Sequence, residues 1–322
     1  MRVLVTGAAG FIGYHISAAL LARGIEVLGI DDLNPYYDVR LKRARLQHLR
    51  RGFCFKQMDL ADHEAVLRLN DGIDAIFHVA AQAGVRYSLE NPFAYAASNL
   101  TGHLAILELA RRCKNLQHLI YASSSSVYGT GSSLPYAESE RADQPSSLYA
   151  ATKRADELMS ASYAHLFGLK QTGLRFFTVY GPWGRPDMAY FGFAEAMMAG
   201  EPITLYEDGT LKRDFTYIDD IIAGIIGVFD HPPESAQPHR VFNIGNNRAE
   251  YVRDLVTLLE RHLGVSAKTK SRPKPEADPV ETCADISALH ALCGYVPSTR
   301  LDEGIPRFVS WYKDWRSHRA AL

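Results

Sequence analysis

Tyr149 and Lys153 stand four residues apart in Ser-Ser-Leu-Tyr-Ala-Ala-Thr-Lys-Arg-Ala-Asp-Glu-Leu, a helical pattern that puts a phenol and an ammonium on one face. A free tyrosine titrates near pH 10, so serving as a base near neutrality needs a shift of about three units, roughly 4 kcal/mol favouring phenolate. A neighbouring Lys cation is one way to supply it. Ser124 follows the apolar run His-Leu-Ile-Tyr-Ala-Ser, which reads as a buried parallel strand whose carboxyl end presents the hydroxyl at the sheet edge. Together the three can take a proton from an alcohol while hydride leaves the same carbon. Tyr-x-x-x-Lys also recurs by chance on helices, so the surrounding elements must decide.

Those elements begin with Val-Leu-Val-Thr-Gly-Ala-Ala-Gly-Phe-Ile-Gly at 3 to 13, running from a strand into the helix of Ile16, Leu20 and Leu21. Gly7, Gly10 and Gly13 would form a turn in which a pyrophosphate approaches bare backbone at a helix N-terminus, alongside Phe11 and Ile12. The spacing Gly-x-x-Gly-x-x-Gly departs from the more familiar Gly-x-Gly-x-x-Gly. The next strand, Glu-Val-Leu-Gly-Ile, ends in Asp31-Asp32, where an acid meets the adenine ribose and repels a 2′-phosphate, which argues for NAD over NADP. The rival reading of Asp31, of equal weight in isolation, is a turn cap. Asp59 and Leu60, after Phe-Cys-Phe-Lys-Gln-Met, are placed to flank the adenine, and Ala80, after Ile-Asp-Ala-Ile-Phe-His-Val, to pass beneath the cofactor.

Taken with the serine run before Val-Tyr-Gly, Arg-x-Phe-Thr-Val-Tyr-Gly-Pro and Arg-Asp-Phe-Thr-Tyr-Ile-Asp-Asp, these strings resemble the extended short-chain dehydrogenase/reductase family nearly end to end. Within it the resemblance narrows to the UDP-glucuronate 4-epimerases. Three strings carry that: Asp-Asp-Leu-Asn-Pro-Tyr-Tyr-Asp at 31 to 38, Ala-Ala-Gln-Ala-Gly-Val-Arg at 80 to 86, and Thr-Val-Tyr-Gly-Pro-Trp-Gly-Arg-Pro-Asp-Met at 178 to 188. The resemblance implies a resident NAD, a 4-keto intermediate, a UDP-sugar substrate, and a homodimer packed through helices near 93 to 112 and 149 to 167.

A chain of 322 residues is long enough for a sizeable core and more than one domain. Net charge is −1, with Lys and Arg scattered, so no nucleic-acid surface is expected, and Arg-Leu-Lys-Arg-Ala-Arg at 40 to 45 reads as a solvated helix face. Cys54, Cys113, Cys283 and Cys293 form no Cys-x-x-Cys pair and read as reduced, buried thiols in a cytoplasmic protein. No metal site is expected. The N-terminus enters a strand at once, so no signal peptide is expected, and Ile-Ile-Ala-Gly-Ile-Ile-Gly-Val-Phe at 221 to 229 is too short to span a bilayer.

Strands and helices alternate to about residue 176, which predicts an α/β fold with a doubly wound parallel Rossmann sheet. After Arg175 the pattern changes to a second, smaller mixed α/β domain. The boundaries predicted are 1–176 plus about 217–245 for NAD, and about 177–216 plus 246–322 for the UDP-sugar. The cleft at the carboxyl ends of the strands is the expected substrate site.

Chemistry separates the members of such a family. Similar sugar-nucleotide 4,6-dehydratases carry an acidic pair before Val-Tyr-Gly and uronate decarboxylases a Glu, whereas Ser125 and Ser126 stand here and neither supplies an acid. A 4-keto uronate is a β-keto acid prone to lose carbon dioxide, so its carboxylate must be gripped directionally. Arg185 offers a planar fork, with Thr178, Ser125 and Ser126 as neutral donors; its rival reading is a loop residue paired with Asp187. Arg213 is the candidate for the diphosphate, and the resemblance implies Asp278 for the distal ribose, with Arg86, Asn243 and Arg272 as further candidates. The family often has Gly before that acid, and Ala277 departs from it. The competing function is 4-epimerisation of a neutral UDP-hexose, UDP-glucose or UDP-N-acetylglucosamine, with the same three catalytic residues.

Overall fold

A computed structural model of the chain describes residues 1–49, 52–69, 72–276 and 278–319. Short runs rich in apolar residues form β1 (Arg2–Thr6), β2 (Glu26–Asp31), β3 (Phe53–Gln57), β4 (Ala75–His78) and β5 (His118–Ser124), and the more polar Gln-Thr-Gly-Leu-Arg-Phe forms β6 (Gln171–Phe176). Six more follow: β7 (Thr178–Tyr180), β8 (Pro202–Tyr206), β9 (Lys212–Tyr217), β10 (His239–Ile244), β11 (Ala249–Tyr251) and β12 (Lys268–Arg272). A seven-stranded sheet runs β10-β6-β5-β4-β1-β2-β3, every adjacent pair parallel.

Alternation along each strand sends neighbours to opposite faces. Val3 and Val5 join one apolar cluster with Ile16 and Leu20 of the helix Phe11–Ala22, while Leu4 joins another with Ile106 and Leu109 of the helix Gly102–Arg112. Both faces are therefore covered, as a doubly wound sheet requires. The strand order reverses between β1 and β4, which opens a crevice at their carboxyl ends. The segment at 221 to 229 lies in the helix Ile218–Asp230, with Ile218, Ile221, Ile225 and Val228 buried. Among the described residues no helix is long and apolar enough to cross a membrane.

Beyond β6 the chain builds two small sheets, β11-β9-β7 and β12-β8, backed by the helices Ala189–Ala199, Val252–Leu263 and Leu301–Arg319. Phe191, Phe308 and Tyr312 from these helices share one core cluster with Val3 and Phe77 of the main sheet, so the two layers are not separated by solvent. Asp214, without exposed surface, fixes β9 to the late loops. Its carboxylate accepts from the backbone N–H of Asn246 at 2.6 Å, Asn247 at 3.0 Å and Ala284 at 2.9 Å, and from the Thr216 hydroxyl at 2.9 Å.

Two expectations hold only in part. The helix Val39–His48 exposes Arg40 and Arg43, but Leu41, Lys42 and Arg45 are buried. Arg45 donates to the carbonyls of Ala9 at 2.8 Å, Trp183 at 2.7 Å and Gly184 at 2.9 Å, and partners so distant in sequence leave no local periodic signal. The four cysteines are free, but only Cys113 is buried; Cys283 and Cys293 are half-buried and Cys54 is exposed. Cys54 lies on β3, the edge strand of the main sheet.

Candidate active site

A cavity of about 960 Å³ opens at the carboxyl ends of the strands. Its floor is the turn after β1. Gly7 has a φ of +69°, and its carbonyl accepts from the Gly10 N–H at 2.8 Å. A Cβ on Gly7 would come within 2.8 Å of the Ala80 amide nitrogen, and one on Gly13 would strike the Gly7 carbonyl. Only glycine lets the strand end, the helix start and the segment after β4 come this close. Gly10, Phe11, Ile12 and Gly13 line the cavity at the start of their helix, whose N-cap Gly10 has no side-chain cap. Unsatisfied N–H groups at a helix N-terminus suit a phosphate, so this bare cradle fits a dinucleotide.

Asp31 closes one end of the floor. Its Oδ2 accepts from the Ala9 N–H at 3.2 Å and its Oδ1 from the Leu33 N–H at 2.9 Å. Lys42 Nζ stands 3.4 Å from Oδ1. The carboxylate therefore caps the turn and faces the cavity at once, and its unused lone pairs remain for a ribose. Asp59, Leu60 and Ala80 line the same end.

The reactive end is set by the junction of β5 with the helix Leu148–Phe167. Ser147 caps that helix, its hydroxyl accepting from the Ala150 N–H at 3.1 Å. Tyr149 is thereby placed in the first turn and Lys153 one turn on, both on the cavity wall with Ser124, Ser125 and Ser126. Ser124 Oγ accepts from the Ser126 N–H at 3.2 Å and from its hydroxyl at 2.9 Å, so Ser124 keeps its own proton to donate. Lys153, 2% exposed, donates to the Ala122 carbonyl at 3.0 Å and to Asp156 Oδ2 at 3.1 Å. The Tyr149 ring meets Tyr95 edge-on, centroids 6.1 Å apart.

The opposite wall comes from β7, β9 and the loops that carry Arg86, Arg185 and Asp278. Thr178, Arg185, Arg213, Asp278 and Arg86 all reach it. Arg185 forms the two-pronged pair with Asp187 that was its rival reading, Nε to Oδ1 at 3.0 Å and Nη2 to Oδ2 at 2.6 Å, yet it lies close enough to Tyr149 for the two to interact electrostatically. Burial pulls the Asp187 carboxyl up, but Arg185 outweighs it and leaves the group below the usual carboxylate range. Arg86 pairs with Asp278 at 3.3 Å and lies over the Tyr206 ring at 4.7 Å. Arg213 donates to the Lys212 carbonyl at 2.8 Å, and burial lowers its pKa. Asn243 is off the wall; it is buried and holds Tyr128, Tyr136 and Asp285. Arg272 is exposed on β12, also off the wall, and Ala277 lies outside the described residues. Among the described residues no His, Cys, Asp and Glu cluster is arranged to hold a metal.

Residues 3–245 match the model of the NAD dependent epimerase/dehydratase family. The chain belongs to that family. Arabidopsis thaliana UDP-glucuronate 4-epimerase 1 is 48% identical over 328 residues, 97% of this chain and 76% of the plant protein. The crystal structure of a Bacillus cereus UDP-glucuronic acid 4-epimerase with UDP-glucuronic acid and NAD is similar at a TM-score of 0.91 and 35% identity, covering 98% of this chain and 100% of that one. A Thermotoga maritima UDP-glucose 4-epimerase with UDP-glucose is similar at 0.88 and 29% identity, covering 98% and 100%.

In this member of the epimerase/dehydratase family, the local sequence pattern does not single out the aromatic residues of the wall or the buried cations Lys42 and Arg45. Tyr36, pushed up to about 12 by burial and by Asp187, and Tyr206 both line the cavity. Tyr36 sits in the string at 31 to 38, which marked the resemblance without assigning the residue a role. Asp187, two residues after Arg185, was in view as its partner; Lys42 and Arg45 were hidden in the supposed solvated face.

Proposed function

We propose that this chain inverts C4 of UDP-glucuronate to give UDP-galacturonate through a transient 4-keto sugar, with NAD held by Gly7, Gly10, Phe11, Ile12, Gly13, Asp31, Asp59, Leu60 and Ala80. Bound NAD supplies the hydride acceptor and donor. Tyr149 takes the C4 hydroxyl proton and later returns it; Lys153 holds the phenolate and the nicotinamide ribose; Ser124 hydrogen-bonds O4. What carries the reading is that these three side chains line one cavity with Arg185.

The wall serves the rest of the substrate. Arg185, with Thr178, Ser125 and Ser126, grips the uronate carboxylate so that the C5–C6 bond lies badly aligned with the C4 carbonyl, which suppresses loss of carbon dioxide. A carboxylate reaching Arg185 exchanges with Asp187. Arg213 and Arg86 face the diphosphate, and Asp278 the distal ribose. The division of labour follows as 1–176 plus about 217–245 for NAD and about 177–216 plus 246–322 for the UDP-sugar, supported by the pairing of β10 with β6.

The proposed homodimer packs through the helices near 93 to 112 and 149 to 167, where Phe93 is 84% exposed, Leu158 56% and Leu166 63%; exposed apolar side chains concentrated on neighbouring helices favour burial against a second copy. A cytoplasmic setting is supported by four free cysteines.

The test is product analysis after incubating the purified protein with UDP-glucuronate and no added NAD. UDP-galacturonate is expected. A UDP-pentose would remove the carboxylate-holding role, and turnover of UDP-glucose alone would overturn the substrate. Tyr149→Phe should lower kcat by about a thousandfold, within the range of general-base catalysis, while NAD remains bound.

A further inference from the structure

Asp156 lies one turn beyond Lys153 and two beyond Tyr149 on their shared helix and has no exposed surface. Its Oδ2 accepts from Lys153 Nζ at 3.1 Å, whereas Oδ1 is buried without a hydrogen-bond partner among the described residues. An acid that serves only the fold is normally satisfied on both oxygens. This one is satisfied only through the catalytic lysine. An ammonium has three N–H groups; one goes to the Ala122 carbonyl, one to Asp156, and the third is left for the cavity that Lys153 lines.

Resting on the proposed roles of Tyr149 and Lys153, we infer that Asp156 is a positioning residue that anchors the Lys153 ammonium at the Ala122 carbonyl and counterbalances the positive field it exerts on Tyr149. A cation beside the phenol favours phenolate. An anion on the far side of that cation partly cancels the effect, so the charge state of Asp156 sets how strongly the phenol is activated.

The groups facing the pair leave Asp156 free to act this way. His78 at the end of β4 is lowered to about 3, first by burial and then by Lys153. His103, from the helix Gly102–Arg112, is also held well below its ordinary value by burial, and burial raises Tyr121 of β5 well above its own. Glu157, next on the helix, is lowered despite its burial by Arg175, Ser123 and Arg154. Asp156 itself is raised to about 6, by burial first, with Lys153 opposing. Between about pH 6 and 8 it is ionised and moderates Lys153; below about 6 it is neutral and Lys153 acts alone.

The test compares kcat/KM against pH for the holoenzyme and for Asp156→Asn, which keeps shape and the Lys153 hydrogen bond but removes the charge. The acid limb is expected to move to lower pH by about one unit, the low end for a nearby charge, and the two curves to converge below about pH 6. Asp156→Glu, which keeps the charge, should leave the limb in place even where kcat falls, and it decides the matter if Asp156→Asn does not fold. Superimposable limbs for Asp156→Asn, a shift to higher pH, or a limb displaced downward in Asp156→Glu would each overturn the role. Turnover of UDP-glucuronate by the unsubstituted protein tests the underlying reading separately.

Discussion

The floor of the cavity is made of backbone and strand ends marked by local sequence spacing, whereas the opposite wall is made largely of charged side chains from distant parts of the chain. Gly7, Gly10 and Gly13 form the floor within one strand-to-helix turn, and contacts across it leave no room for a Cβ at Gly7. Arg86 and Asp278 are 192 residues apart and meet only across the cavity mouth. The floor is thus preformed, while two cations of the wall are occupied by acids, Arg185 by Asp187 and Arg86 by Asp278, and a third, Arg213, donates to backbone carbonyls. On the proposed function, such a site would keep its cofactor through shape and admit an anionic sugar nucleotide by exchange of ion-pair partners.

The contrast is broken if wall substitutions disturb the floor. Arg185→Ala should lower kcat/KM for UDP-glucuronate about a hundredfold, the loss of a bidentate charge-assisted contact, release measurable carbon dioxide, and leave NAD affinity unchanged by calorimetry. Parallel loss of NAD would show the two regions to be one unit. Asp31→Asn acts on the floor: NAD affinity should fall about tenfold, near 1.4 kcal/mol, and NADP acceptance should rise, since Lys42 is then left beside a neutral group. The KM for UDP-glucuronate at saturating NAD should not change. Arg86→Ala should have the smallest effect, a two- to threefold rise in KM that shrinks with added salt, because the side chain is 60% exposed and such pairs contribute about 1 kcal/mol or less.

The floor was legible because backbone constraints leave local spacing: glycines at a strand end, an acid after the next strand, Tyr and Lys one helical turn apart. Every nominated floor and reactive-end residue lines the cavity. The wall was legible only as a set of nominees. Arg185 and Arg213 stand in longer motifs, but nothing near Arg45 in sequence indicates that its partners are the carbonyls of Trp183 and Gly184, 138 and 139 residues away. For the same reason a buried arginine looked like part of a solvated face. Asn243 illustrates the converse: a polar residue at a strand end, nominated for substrate, is consumed by hydrogen bonds inside the fold.

The central claim is that hydride leaves and returns to one carbon facing Tyr149. UDP-glucuronate deuterated at C4, incubated with the protein in ordinary water and followed by mass spectrometry, measures this directly. Deuterium retained at C4 of UDP-galacturonate, with a slowed rate and no label in solvent, is the predicted result. Loss of the label to water during inversion would contradict it.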